Sequence, residues 1–96
     1  MSKEEILQLL KEQRGELHRM GVRSMALFGS AVHEELHPQS DIDLLVDLEP
    51  PYTYDRYIRL KFFLEDMLQR PVDLVMVDTI KERIRPEIEK EAIYVT

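Results

Sequence analysis

Three aspartates in two short apolar segments are the residues of this chain best placed for chemistry. Asp41 and Asp43 are separated by one residue, and Asp73 lies 30 positions after Asp43. Side chains two positions apart on a β-strand point to the same face, so the first two carboxylates would repel each other where charge is already costly. A divalent cation resolves this conflict, and ligands that are all oxygen select Mg²⁺ or Mn²⁺. If the two segments are neighbouring strands, Asp73 completes the cluster.

A glycine–serine turn precedes these aspartates. Gly29 and Ser30 follow an apolar segment, and ten residues separate them from Asp41. Glycine lets main-chain N–H groups approach an oxyanion, and the start of a helix adds unpaired N–H donors and a positive dipole end. The serine hydroxyl can donate a further hydrogen bond. The combination predicts a site for a nucleoside triphosphate and two metal ions, which stabilise the attacking and leaving oxygens of an in-line displacement at phosphorus.

Regular elements must hold these residues in place, and the hydrophobic pattern predicts where they lie. A capping box of Ser2 and Glu5 predicts a helix that starts near Lys3, with Gly21 as its C-terminal stop. Strands and amphipathic helices then alternate. The predicted strands are 22–28, 41–48, 72–77 and 93–95. The predicted helices are 30–35, 55–69 and 80–92, the last of them broken before Pro86, with a loop at 36–40.

The second predicted strand has one face with candidate site residues and one face with core residues. One face carries Asp41, Asp43, Leu45 and Asp47, and the other carries the core residues Ile42, Leu44, Val46 and Leu48. The order of elements predicts an α/β (α+β) fold, a small mixed β-sheet flanked by helices. A chain of 96 residues fits one domain, 1–96, and its 44% hydrophobic and 33% charged residues are typical of a folded globule.

Composition also limits the environment and the partners. The chain has no cysteine, and no apolar run reaches the ~18 residues that span a bilayer, so we expect a cytoplasmic protein without a membrane segment. Its net charge of −6 disfavours direct nucleic-acid binding, because phosphates would be repelled. The same charge suits a basic protein partner, or serves only to keep the protein soluble.

Aromatic and basic residues follow the second strand. Three tyrosines could stack on a base or contact a partner, and three cations could neutralise a triphosphate. Helix packing and an exposed helix face explain them more simply. The residues are Tyr52, Tyr54 and Tyr57, and Arg56, Arg59 and Lys61.

The chain resembles the nucleotidyltransferase superfamily whose best-known member is DNA polymerase β. Within it, the chain is most similar to the minimal nucleotidyltransferases (MNT), the antitoxin half of HEPN/MNT toxin–antitoxin pairs. The resemblance covers about 22–77. It rests on Leu27-Phe28-Gly29-Ser30, then after ten residues on Asp41-Ile42-Asp43-Leu44-Leu45-Val46, and later on Pro71-Val72-Asp73-Leu74-Val75.

The resemblance implies a fold and a role for each matched residue. The fold would be that of the polymerase β-like nucleotidyltransferases, in a single minimal domain. Gly29 and Ser30 would hold the triphosphate of ATP, and Asp41 and Asp43 would bind two Mg²⁺ ions, with Mn²⁺ as a substitute. Asp73 would bind the catalytic ion and help activate the acceptor hydroxyl. Many minimal members carry an Ala-Arg-Gly-like stretch after the serine, whereas this chain reads Ala31-Val32-His33.

Three functions fit these observations. The first is an antitoxin that transfers AMP from ATP to a hydroxyl, a tyrosine hydroxyl by family resemblance, of a cognate HEPN ribonuclease toxin. The second is a non-catalytic antitoxin that neutralises the toxin by direct binding, which the acidic charge and the altered stretch after Ser30 favour. The third is the catalytic subunit of a small-molecule nucleotidyltransferase that a separate helical chain completes. We favour the first because all three carboxylates are present.

Overall fold

A four-stranded sheet positions the candidate site. The computed structural model describes residues 2–29, 32, 41–80, 83 and 85–96. Its strands are β1 (Val22–Phe28), β2 (Ile42–Leu48), β3 (Val72–Met76) and β4 (Ile93–Tyr94), in the order β3-β2-β1-β4. β1 runs antiparallel to both β2 and β4, and β2 runs parallel to β3. This is the mixed sheet that the sequence predicts, and the fold class is confirmed.

Helices α1 (Lys3–Glu12) and α2 (Arg14–Arg19) form the N-terminal part of the fold. The predicted capping box is present: the Ser2 hydroxyl accepts from the Glu5 N–H at 3.2 Å, and the Glu5 carboxylate accepts from the Ser2 N–H at 3.4 Å. The predicted single helix is interrupted at Gln13, where ψ is 14°. Gly15 lies two residues later, and the low helix propensity of glycine favours a break in this region.

Helix α3 (Tyr54–Leu68) packs with α1 and α2 on one face of the sheet. The predicted core face of β2 is buried there against Leu60, Leu64 and Leu68 of α3. The opposite sheet face carries a smaller cluster of Ala26, Leu45 and Ile80. Along β2, the residues facing the helices are all buried, whereas Asp43 and Asp47 on the opposite face are only half-buried. Leu45, on that same face, is buried by the smaller cluster.

The chain after β3 covers part of this second face. A 3₁₀ turn at Val77–Thr79 ends the strand one residue earlier than predicted. Helix α4 (Arg85–Glu91) begins one residue before Pro86, next to the predicted break, and 81, 82 and 84 of the predicted stretch lie outside the described residues. Pro86 lies in the first turn of α4, where its missing N–H costs nothing. Ile88 and Ala92 pack against the smaller cluster and so bring α4 over the sheet.

Side chains form hydrogen bonds with main-chain groups of β3, which is an edge strand of the sheet. The Tyr57 hydroxyl donates to the Leu74 carbonyl at 2.9 Å, and the Glu65 carboxylate accepts from the Val72 N–H at 2.9 Å. The Thr79 hydroxyl donates to the Met76 carbonyl at 2.8 Å. Each bond satisfies a polar group that the β2 ladder does not use.

Two predicted elements lie outside the described residues: the short helix 30–35, except for Val32, and the loop 36–40. None of the helices within the described ranges combines the length and apolar character that crossing a bilayer requires.

Candidate active site

Parallel pairing of β2 and β3 brings two of the three aspartates together. Asp43 and Asp73 are direct register partners, and the side chain of Asp73 is exposed while that of Asp43 is half-buried. Asp41 lies immediately before β2 and is exposed. Its carboxylate is close enough to raise the pKa of Asp43. Asp43 and Asp73 therefore lie side by side where β2 and β3 begin, with Asp41 near enough to act on Asp43 through its charge.

The electrostatics of this corner act mainly on Asp43. Its pKa is raised from 3.8 to about 6, first by burial, then by the negative charges of Asp73 and Asp41, and last by a hydrogen bond with the Asp73 side chain. Burial and like charges both disfavour the ionised carboxylate. A bound proton or cation relieves both effects, so Asp43 is the group at which positive charge is most favoured.

Gly29 lies directly against this carboxylate. It follows Phe28, the β1 partner of Asp43, and has φ +75°. A Cβ atom at position 29 would overlap the Asp43 Oδ2 atom and lie 3.0 Å from its Cγ atom. Only glycine combines this φ with so close an approach. Contact between the main chain at Gly29 and the carboxylate of Asp43 joins the two sequence motifs into one site, whereas Ser30 lies outside the described residues.

The donor set fits an oxygen-preferring divalent cation. Three carboxylates converge, and the central one is destabilised in its charged form by burial and by its neighbours. Within the described ranges, no three acidic, histidine or cysteine side chains already form a cage for an ion. Mg²⁺ does not require one, since it is commonly held by one or two carboxylates together with water and substrate phosphates.

Two of the three basic residues of α3, Arg56 and Arg59, have partners away from this site. The guanidinium of Arg56 donates to the carbonyls of Glu49 at 2.6 Å and Pro51 at 2.7 Å, and it lies against Gly21. Gly21 precedes β1 and Gly29 follows it, so they are eight residue steps apart, about 26 Å at 3.3 Å per residue. Arg59 pairs with Asp55 at 3.2 Å on the exposed side of the same helix. Arg59 thus lies on an exposed helix face as predicted, whereas the half-buried Arg56 binds main-chain carbonyls, a structural role that was not predicted.

A cleft opens beside Asp73 on the face that α4 partly covers. Its volume is about 420 Å³. Besides Asp73, it is lined by Phe28, Val75, Thr79, Ile80, Arg83 and Ile88. This cleft could not be predicted from the sequence, because it forms only when the segment after β3 folds back over the sheet. The sequence feature that could have indicated the cleft is the set of apolar residues at 75, 80 and 88, which follow Asp73.

Comparison with known proteins decides the family. The model of the nucleotidyltransferase domain matches residues 5–95. The chain belongs to this family. It is a minimal nucleotidyltransferase of the polymerase β-like superfamily, and it is similar to the protein adenylyltransferase MntA of Thermococcus cleftensis. The two are 40% identical over 93 residues, which cover 96% of this chain and 94% of the relative.

Solved structures agree with the fold of a minimal nucleotidyltransferase. One protein, provisionally described by that term, is 32% identical and superposes with a TM-score of 0.86 over 97% of this chain and 95% of its own. A second is the complex of a tri-AMPylated Shewanella oneidensis HEPN toxin with an MNT antitoxin. It is 19% identical with a TM-score of 0.66, covering 94% of this chain and 71% of that one. At that identity the similarity concerns the fold alone.

Proposed function

We propose that this minimal nucleotidyltransferase is a protein adenylyltransferase that acts as an antitoxin. In the cytoplasm, it transfers AMP from ATP to the hydroxyl group of a tyrosine in a cognate HEPN ribonuclease toxin. The observation that carries the proposal is the pairing of Asp43 with Asp73 directly beside Gly29. The name of the Thermococcus cleftensis relative, a protein adenylyltransferase, supports both the reaction type and a protein as the acceptor.

Each site residue has a role in this proposal. Asp41, Asp43 and Asp73 hold two Mg²⁺ ions, for which Mn²⁺ can substitute. Main-chain N–H groups at Gly29 and the hydroxyl of Ser30 bind the triphosphate. Two ions at such a site neutralise phosphate charge and stabilise the attacking and leaving oxygens. The remaining work of the protein is to position the reactants and to exclude water.

The chemical step is an in-line displacement at the α-phosphorus of ATP. The acceptor oxygen forms a bond to the α-phosphorus, and the bond from that phosphorus to the oxygen bridging to the β-phosphate breaks. Pyrophosphate leaves with the electron pair, and the hydroxyl proton passes to the Asp73 carboxylate and then to water. Asp73 suits this role because its side chain is exposed and can meet an acceptor from outside.

Intact-mass spectrometry of the cognate HEPN toxin tests this function. After incubation with this chain, ATP and Mg²⁺, we expect a mass increase of one or more AMP units. Asp43→Asn and Asp73→Asn should abolish the increase. Asp47→Asn is the matched control, because Asp47 is on the same strand and pairs instead with Arg23 at 3.3 Å. An unchanged toxin mass with the unmodified chain would contradict the proposal.

A purely binding antitoxin is the second candidate, and the net charge of −6 favours it. A chain of this charge can dock on a basic protein without any transfer of AMP. Toxin neutralisation in cells distinguishes the two functions. Adenylylation requires that folded Asp43→Asn fails to neutralise, whereas neutralisation that persists in this variant supports direct binding.

A further inference from the structure

The cleft beside Asp73 has a position that constrains what it can hold. In the sheet order β3-β2-β1, Gly29 at the end of β1 and Asp73 on β3 lie on opposite sides of Asp43. Neighbouring strands are about 4.8 Å apart, so these two positions flank the reacting centre at a separation of about 10 Å. The cleft extends from Phe28 on β1 to Val75 on β3, and of the described site residues it is lined by Asp73 but not by Gly29, Asp41 or Asp43.

In-line displacement assigns a reactant to each side. The attacking and leaving oxygens lie opposite each other across the phosphorus. With the triphosphate on the Gly29 side, pyrophosphate departs towards Gly29. The attacking hydroxyl must therefore approach from the side of Asp73, where the cleft begins.

The lining of the cleft selects the kind of acceptor. Phe28, Val75 and Ile88 provide apolar walls, and the hydroxyl of Thr79 already donates to the Met76 carbonyl. At about 420 Å³ the cleft is at the small end of the usual range for ligand pockets, about 300–1,000 Å³. An aromatic ring covers such walls, whereas the short side chains of serine and threonine leave them exposed to water.

We propose that this cleft is the acceptor subsite: it receives the ring of the target tyrosine and directs the phenol oxygen to Asp73. The proposal rests on the proposed adenylyltransferase function. Phe28, Val75 and Ile88 then determine specificity for a phenol over an aliphatic hydroxyl. Arg83, exposed at the rim, is the one cation among the described lining residues, and it favours acceptors with acidic neighbours.

Methyl NMR of the unmodified chain tests the subsite without requiring turnover. We would label isoleucine and valine methyl groups and titrate N-acetyl-tyrosinamide, with N-acetyl-serinamide as the comparison. The tyrosine probe should shift the signals of Val75 and Ile88, and the serine probe should not. Ile6, fully buried on the other side of the sheet, is the internal reference. No shift at Val75 and Ile88 with the tyrosine probe would overturn the proposal.

A variant that fills the cleft tests its role in transfer. Ile88→Trp should lower the rate of tyrosine adenylylation at least 10-fold and weaken binding of the tyrosine probe. Its dissociation constant for ATP with Mg²⁺ should stay within twofold of the original. Ile58→Trp is the matched control, since Ile58 is an equally half-buried isoleucine on α3, which packs on the other face of the sheet.

The outcomes separate the subsite from the proposed function. If ATP with Mg²⁺ shifts Val75 and Ile88 and Ile88→Trp loses ATP binding, the cleft holds the nucleobase and the acceptor proposal is wrong. If the unmodified chain transfers no AMP but binds the tyrosine probe in the cleft, the proposed function fails, and the cleft is a binding site for an aromatic side chain without the role of acceptor subsite. Normal adenylylation by Ile88→Trp would refute the subsite alone.

Discussion

Replacing Asp43 with asparagine should make the metal-free protein more stable near neutral pH. The carboxylate of Asp43 is half-buried and faces the charges of Asp73 and Asp41, and its pKa is raised from 3.8 to about 6. Between these values the folded chain binds more protons than the unfolded chain, so stability falls as the pH rises through this window. Asparagine keeps the shape and can donate a hydrogen bond to Asp73, but it carries no charge.

The size of the effect follows from the pKa of Asp43. A rise from 3.8 to about 6 corresponds to at most about 3 kcal/mol, at 1.36 kcal/mol per pKa unit. Asp43 keeps contact with water, which screens the repulsion, so we expect about 1–2 kcal/mol. For a domain of this size, that is an increase of about 4–12 °C in melting temperature.

Thermal and urea unfolding of both proteins measure this difference. The buffers should contain a chelator and cover pH 4 to pH 8. At pH 7 the Asp43→Asn variant should unfold at the higher temperature, and the difference should shrink as the pH falls through 6 towards 4. Asp47→Asn is the control, because it removes an exposed ion pair with Arg23 from the same strand face and should not stabilise the protein.

Two results would refute the reasoning. One is an Asp43→Asn variant that is less stable than the original at pH 7 without metal. The other is a stabilisation that does not change with pH, which would mean that packing, and not charge, is responsible. A matching gain in Asp47→Asn would show that net charge alone explains the effect.

Three further predictions concern the same corner and the sheet. Mg²⁺ should raise the melting temperature of the original chain and leave that of Asp43→Asn unchanged in differential scanning fluorimetry; an equal rise in both would place the ion elsewhere. Gly29→Ala should lose about 1–3 kcal/mol in urea unfolding, through its positive φ and the overlap with Asp43. The control Gly15→Ala, in a helix with nothing within 4 Å of the new Cβ, should gain about 0.5–1 kcal/mol. Tyr57→Phe should lose about 1 kcal/mol by leaving the Leu74 carbonyl without its donor, and an unchanged stability would mean that water replaces the hydroxyl.

Local patterns predicted the elements that carry the site. The alternation in 41–48 predicted both faces of β2, and Gly29 marked the end of β1 at its observed position. These predictions succeeded because side-chain alternation and glycine conformation are properties of a few neighbouring residues. The placement of Asp73 beside Asp43 is different, since it depends on parallel pairing between strands that α3 separates. From the sequence, the proximity of Asp73 to Asp43 could be predicted only on the condition that their two strands are neighbours.

The cleft and the bonds along β3 could not be predicted in this way. Both arise when distant segments pack: α4 over the sheet for the cleft, and Tyr57 of α3 against Leu74 for the strand. No pattern within a short window distinguishes a tyrosine that donates to a neighbouring strand from one that faces solvent. Arg56 shows the same limit, because its partners Glu49 and Pro51 follow from the path of the chain before α3.

The bonds along β3 have a consequence for how another protein can approach. An edge strand with free main-chain groups invites another chain to extend the sheet, either in aggregation or in recognition by strand addition. Here Tyr57, Glu65 and Thr79 occupy groups on the strand that carries Asp73. The strand can thus lie at the outside of the sheet, with its aspartate open to a visiting hydroxyl, without recruiting the backbone of the visitor. If the proposed transfer takes place here, we expect the partner to be bound through its side chain and not by strand addition, so that it can leave after the reaction.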